Sequence, residues 1–245
     1  MTNNITFIFF YIITIVFVST SCNQKTSSKD QKQQNKPQTQ SAQQDSTSNI
    51  INKGRQPAPR TVYDTTKWVR IIDIDSTIVE DMRYATTDNF VKEIMYDCGA
   101  CYLRPEVAVA VGQAHQMLKE QGYGGLKMFD CYRPRPIQQK LWDKVPDARY
   151  VTPPWKGSMH NRGLAVDLTI IDSLGHQLDM GTRFDYFGVE GYHTYLGHSD
   201  EIQANRTLLK ETLSKVGFRH IRTEWWHYSY RKVTYPISDW VWDCK

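Results

Sequence analysis

Apolar residues recur with helical spacing in two stretches of the chain. Val107, Val111, Ala114 and Leu118 follow at intervals of four, three and four, which predicts an amphipathic helix. Pro105 suits its first turn, and Gly122 closes it. Leu208, Leu209, Leu213 and Val216 predict a second helix, stopped by Gly217. A shorter helix is expected over 137–142, after Pro134 and Pro136. Strands are expected where β-branched and aromatic residues cluster or alternate: 71–78, 126–131, 164–171 and within 218–230. Asp172-Ser-Leu-Gly175 reads as a turn folding the third of these into a hairpin that runs to about Met180. Helices and hairpin-linked strands are mixed without regular βαβ alternation, which favours α+β. The expected architecture is one domain over 61–245, with a central, mostly antiparallel sheet flanked by helices.

The first 60 residues show a different pattern. Residues 5–18 are apolar or aromatic apart from Thr6 and Thr14, and no charged side chain occurs in 1–22. The run is shorter than the roughly 20 residues of a membrane-spanning helix and suits the core of a signal peptide. It ends in Ser19-Thr20-Ser21-Cys22, which resembles a bacterial lipoprotein signal with Cys22 as the lipidated residue. No Lys or Arg precedes the run, and Ser19 stands where that pattern usually has Leu. An ordinary cleaved signal and an uncleaved anchor are the alternatives. Residues 23–60 are rich in Gln, Ser, Thr, Asn and Lys and hold only four aliphatic residues, Ala42, Ile50, Ile51 and Ala58. Such a segment buries too little to offset its chain entropy, so it is read as a disordered linker.

Charge follows the same division. The whole chain carries +4. Residues 23–60 hold 7 Lys+Arg and 2 Asp, or +5, and residues 61–245 hold 23 Lys+Arg against 24 Asp+Glu, or −1. A nucleic-acid-binding domain concentrates its basic residues on the folded part, so no nucleic-acid partner is expected.

Candidate chemistry sits in three segments. Ser158-Met-His160-Asn-Arg-Gly163-Leu-Ala-Val-Asp167 places a histidine and an aspartate at the mouth of a buried strand. Glu224-Trp-Trp-His227 adds a second imidazole and a second carboxylate. His160, Asp167 and His227 make a three-ligand set that leaves one tetrahedral position open, the arrangement of a catalytic zinc. Glu224 is a candidate general acid/base. On a regular strand residues three apart face opposite sides, so Glu224 and His227 share a site only if the chain bulges or Glu224 precedes the strand. The third segment, Phe129-Asp130-Cys131-Tyr132-Arg133-Pro134, offers Arg133 as an oxyanion donor, with Asp130 to orient it. Taken singly, each motif is weak. His115, His176, His193, His198 and His220 lack a comparable setting and are read as structural or exposed.

Taken together, these segments resemble the D-alanyl-D-alanine dipeptidases, zinc enzymes of the wider zinc D,D-peptidase (Hedgehog/DD-peptidase-like) fold group. The resemblance runs from about Ile72 to Tyr230. It also includes 82–90 (MRYATTDNF), 157–160 (GSMH) and 180–185 (MGTRFD). It implies zinc on His160, Asp167 and His227, Glu224 as acid/base and Arg133 as transition-state stabiliser. It further implies Asp185 and Tyr84 at the ammonium end of a dipeptide and Ser158 near its carboxylate. Counter-groups at both ends select substrates by length. The implied reaction is hydrolysis of D-Ala-D-Ala to two D-alanines. A zinc D,D- or L,D-carboxypeptidase trimming peptidoglycan stem peptides is the alternative, and a non-catalytic cell-wall module is the third.

Export would place the enzyme in the cell envelope, held to a membrane by the lipid on Cys22, in recycling or nutrition. Cys98, Cys101, Cys131 and Cys244 then allow two disulfides in three pairings, or a structural zinc site with Cys98 and Cys101 as one half.

Overall fold

A computed structural model of the chain describes residues 67–244. The signal segment with Cys22, the linker over 23–60 and the start of the expected domain lie outside the described residues.

The central sheet has five strands: β2 (Val79–Glu80), β4 (Gly125–Asp130), β5 (Ala165–Ile171), β6 (Phe218–Ile221) and β7 (Glu224–Tyr230), in the order β2-β4-β5-β7-β6. Only the β2–β4 pair is parallel. A separate antiparallel pair joins β1 (Val69–Arg70) to β3 (Tyr102–Leu103). The architecture is α+β, as the pattern predicts.

Helix α2 (Pro105–Lys119) packs on β4 and on α4 (Asp200–Val216), and α4 also packs on β6. Proline at the first turn, with no N–H to satisfy, starts α2. Ser199 caps α4, its hydroxyl accepting from the Ile202 N–H, and Gly217 ends it at φ +110°, a conformation that costs a residue without Cβ little. A third helix, α3 (Arg135–Lys144), follows Pro134. Trp225, Trp226, Tyr132, Tyr228 and Phe129 are fully buried, so the core is strongly aromatic.

Two expectations are corrected. Residues 71–78 are not a strand. Ile71–Ile74 form one helical turn, α1, and Asp75 then takes the N–H and hydroxyl of Thr77 on its carboxylate, leaving only Val79–Glu80 to pair. This local side-chain turn overrides β-propensity. The hairpin to Met180 also stops short. Its turn forms, with Asp172 accepting from Leu174 and His176 N–H groups, but the return arm keeps one bridge, Ile171 to Gln177. Side chains of α4 then draw the arm away: Asn205 donates to the Asp179 carbonyl and Arg206 to that of Met180.

The cysteines pair Cys98–Cys244 and Cys101–Cys131. Cys98 and Cys101 take different partners, and all four sulfurs are consumed, which removes the structural-zinc alternative.

Candidate active site

The site is built where β4, β5 and β7 lie side by side. Asp167 on β5 is paired with His227 on β7, and across its other edge with Asp130 at the end of β4. His160 comes from the one-turn 3-10 segment His160–Arg162 just before β5. Gly163, at φ +70°, ends that turn, and a Cβ there would lie 2.3 Å from the Trp68 ring. Only glycine makes this abrupt passage from turn to strand.

Three donor atoms converge. His160 Nε2 is 3.1 Å from His227 Nδ1, His227 Nδ1 is 2.9 Å from Asp167 Oδ1, and His160 Nε2 is 3.4 Å from the same oxygen. Metal–ligand bonds of about 2.0–2.1 Å at tetrahedral angles separate neighbouring ligands by about 3.3 Å, so this triangle has the dimensions of three ligands on one ion. The remaining nitrogens of both rings are engaged. His160 Nδ1–H donates to the Cys131 carbonyl at 2.7 Å, which turns the Nε2 lone pair of that ring inward, and His227 Nε2 is hydrogen-bonded to Ser229 Oγ at 3.0 Å. Ser229 can accept from a protonated Nε2, the tautomer in which His227 Nδ1 serves as a metal ligand. His160, Asp167 and His227 form the one such His/Cys/Asp/Glu group among the described residues. Burial opposes ionisation of Asp167, but the two imidazoles hold its carboxyl well below the usual range.

Glu224 and His227 face the same cavity because the ladder is broken between them. Along β6, His220 to Ile221 is one step; along β7, their partners Tyr228 and Glu224 are four apart. The bulge turns Glu224 inward. Removal from water pushes its carboxyl up, the direction a general acid/base needs.

Arg133 is clamped. Its Nε and Nη2 donate to Asp130 Oδ2 at 3.0 and 2.6 Å, and Nη1 donates to Gln138 Oε1 at 3.1 Å. Asp130 is fully buried and also accepts from Tyr96 at 2.8 Å. These bonds use three of the five guanidinium N–H groups, leaving two for a ligand. Burial would favour loss of the charge, but Asp130 more than offsets it.

Asp185 has φ +59°, uncommon for a residue with a Cβ. One oxygen accepts from Tyr84 at 3.4 Å, and the other is buried without a partner. Burial first, then the nearby charge of Asp167, raises its carboxyl well above the ordinary value. A buried carboxylate oxygen lacking a donor is a site prepared for a cation. Ser158 is held through Asn161, whose Oδ1 accepts from the Ser158 N–H and hydroxyl and whose Nδ2 donates to the Arg133 carbonyl.

One cavity of about 500 Å3 is lined by all eight candidates: His160, Asp167, His227, Glu224, Arg133, Asp185, Ser158 and Tyr84. Cys22 lies outside the described residues. Gln138, Ser229 and Tyr96 are supporting groups outside the motifs, while Asn161 and Cys131 lie within them, though nothing there assigns the Asn161 amide or the Cys131 carbonyl its role. Of the three outside, Ser229 carried a signal, lying two residues from His227 on a strand and so on the same face.

The model of peptidase M15, described as D-Ala-D-Ala dipeptidase, matches residues 64–239. This chain belongs to that family. Over 175 residues it is 33% identical to the D-alanyl-D-alanine dipeptidase of Escherichia coli (strain K12), covering 71% of this chain and 90% of that protein. The D-alanyl-D-alanine dipeptidase of Enterococcus faecalis is 29% identical over 177 residues, 64% of this chain and 87% of its own. Among solved structures, a vancomycin-resistance D,D-pentapeptidase, VanY, in complex with Zn(II) is 18% identical, with a TM-score of 0.36 over 53% of this chain and 73% of that one. The peptidase M15 match spans both ends of the cavity, from the Tyr84 segment to β7.

Proposed function

We propose that this protein is a zinc dipeptidase that hydrolyses D-Ala-D-Ala to two D-alanines in the cell envelope. One observation carries the reading: the cavity joins a metal-sized triangle of donors to a buried acid/base, a guanidinium with spare donors and an unpartnered carboxylate oxygen.

His160, Asp167 and His227 would hold the zinc. Bound there, zinc supplies Lewis-acid chemistry and brings the pKa of a water toward about 7. Glu224 accepts the proton lost by the attacking water and delivers it to the departing amine. Arg133 directs its two free N–H groups at the oxygen that gains charge as the peptide carbon becomes tetrahedral. Asp130 and Gln138 keep that guanidinium from turning away. Asp185 and Tyr84 receive the substrate's ammonium, and Ser158 its carboxylate. The free oxygen of Asp185 favours an unblocked amino terminus over an acylated stem peptide, because an amide in that place brings no charge to the buried carboxylate.

Residues 1–22 and the cysteine pairing support an envelope location on a lipidated Cys22. Both disulfides belong to an oxidising compartment. Mass spectrometry of the mature N-terminus tests the anchor: a lipidated Cys22 is expected, and an unmodified start beyond it contradicts the anchor.

For the chemistry, Glu224→Gln is expected to lower kcat by about a thousandfold while zinc stays bound. Near-normal turnover by that variant would falsify the assignment of Glu224.

A further inference from the structure

Cys131 is the junction through which several features of the site are held. Its carbonyl accepts the Nδ1–H of His160. The residue before it, Asp130, carries Arg133 on one carboxylate oxygen. Yet β4 ends at Asp130, just after a register shift between Met128 and Asp130. The ladder therefore does not set the direction of the Cys131 carbonyl.

Two contacts outside that sheet remain to set it: the N–H of the same peptide unit, on Tyr132, which donates to the Tyr102 carbonyl at 3.0 Å, and the side chain of Cys131. That side chain is bonded to Cys101, and both cysteines are fully buried. Cys101 is fixed at both of its backbone groups. Its N–H donates to Glu80 Oε1 at 2.9 Å, and its carbonyl accepts from the Ile71 N–H at 2.9 Å. Glu80 is itself held by Arg70 at 2.7 Å. A rigid chain of contacts thus runs from Arg70 through Glu80 and Cys101 to Cys131 and on to His160.

We propose that the Cys101–Cys131 disulfide is a positioning element of the active site. It holds the Cys131 carbonyl toward His160, fixing that ring's tautomer and orientation, and it steadies Asp130 beneath Arg133. The inference rests on the reading of His160 as a metal ligand. Supporting groups of this kind typically change metal affinity or activity by about 10–100-fold when lost. The other disulfide, Cys98–Cys244, serves as a control, because neither of its residues bonds His160 or adjoins Asp130 in the chain.

The test compares the full chain with its C101A/C131A and C98A/C244A variants. Zinc Kd is measured by chelator competition, kcat and KM with D-Ala-D-Ala, and the His160 Nδ1–H signal by NMR on zinc-free protein. C101A/C131A is expected to bind zinc about 10–100-fold more weakly, to lose about tenfold or more in kcat with KM within about twofold, and to lose the His160 signal to exchange. C98A/C244A is expected to match the wild type in all of these. A folded C101A/C131A protein with wild-type Kd and an intact His160 signal overturns the proposal. If that variant does not fold, the native protein is reduced in place and its free thiols are mapped by alkylation. Weakened zinc binding that tracks the Cys101 and Cys131 thiols at constant circular dichroism supports positioning. Unchanged Kd with both thiols free, or unfolding in step with reduction, overturns it. The zinc and NMR readouts do not involve the dipeptide. A wild-type protein that binds zinc but leaves the dipeptide intact therefore counts against the functional reading alone.

Discussion

Asp167 and His227 stand directly opposite one another on β5 and β7, with Asp167 Oδ1 2.9 Å from His227 Nδ1. Two of the three donors are thus set by strand register, and the third by the turn that leads into β5. A site made this way is expected to exist before metal arrives. Zinc at 100 times its Kd then stabilises the fold by about 2.7 kcal/mol, a rise in Tm of about 5–10 °C for a domain of this size. Thermal unfolding with and without zinc checks this, and His227→Ala should abolish the shift. Ser229→Ala, which leaves His227 Nε2 without its partner, should weaken zinc binding about tenfold.

Arg133 is predicted to act on the transition state alone. Arg133→Lys keeps a charge near Asp130 but loses the fork that reaches both Asp130 and Gln138. The expected result is a fall in kcat of about a hundredfold or more with zinc affinity unchanged. Arg133→Ala removes the ion-pair partner of buried Asp130 and leaves it only the Tyr96 hydroxyl as hydrogen-bond donor, so it should also cost about 3–5 kcal/mol of stability, measured by denaturant unfolding.

The sequence made most of this site visible because its chemistry is local in the chain. His160 to Asp167 and Glu224 to His227 are short segments whose residue types have few other uses in a buried setting. Sequence alone left open how Glu224 and His227 come to share a face, since the bulge opposite His220 depends on how β6 pairs with β7. The partners of Arg133 divide in the same way. Asp130 is three residues away and was legible, whereas Tyr96 approaches from a distant segment. The misread strand at 71–78 failed for a local reason, the Asp75–Thr77 turn, and the shortened hairpin for a distant one, the grip of α4 on Asp179 and Met180.

Asp185 is predicted to set specificity. Asp185→Ala should raise KM for D-Ala-D-Ala by about tenfold or more, because the ammonium loses its buried counter-charge. The same variant should discriminate less against N-acylated substrate, since no carboxylate is left to desolvate. Steady-state kinetics with both substrates measures the two effects.

Stability should fall in acid through two histidines outside the catalytic site. His115 is buried and neutral in the fold, its Nδ1 accepting the Leu126 N–H and its Nε2–H donating to Thr77 Oγ1 at 2.8 Å. Burial pushes its pKa below the ordinary 6.5, and burial together with His220 pushes His193 down to about 3. Below pH 6.5 the unfolded chain takes up protons that the fold does not. The stabilisation is therefore complete above 6.5 and is lost as pH falls, the His193 part continuing to be lost until about pH 3. Urea unfolding at pH 5 should give a stability lower by about 1–2 kcal/mol than at pH 7.5. His193→Phe should remove its share of that dependence and leave the His115 share.

The central claim is that this cavity is a zinc site closed around a free dipeptide. Its most direct test is kcat/KM of the zinc-loaded protein for D-Ala-D-Ala beside an N-acylated peptide ending in D-Ala-D-Ala. Zinc-dependent cleavage of the free dipeptide is expected, preferred by about a hundredfold or more. Preference for the acylated peptide would contradict a dipeptidase site and the role of Asp185 at the ammonium.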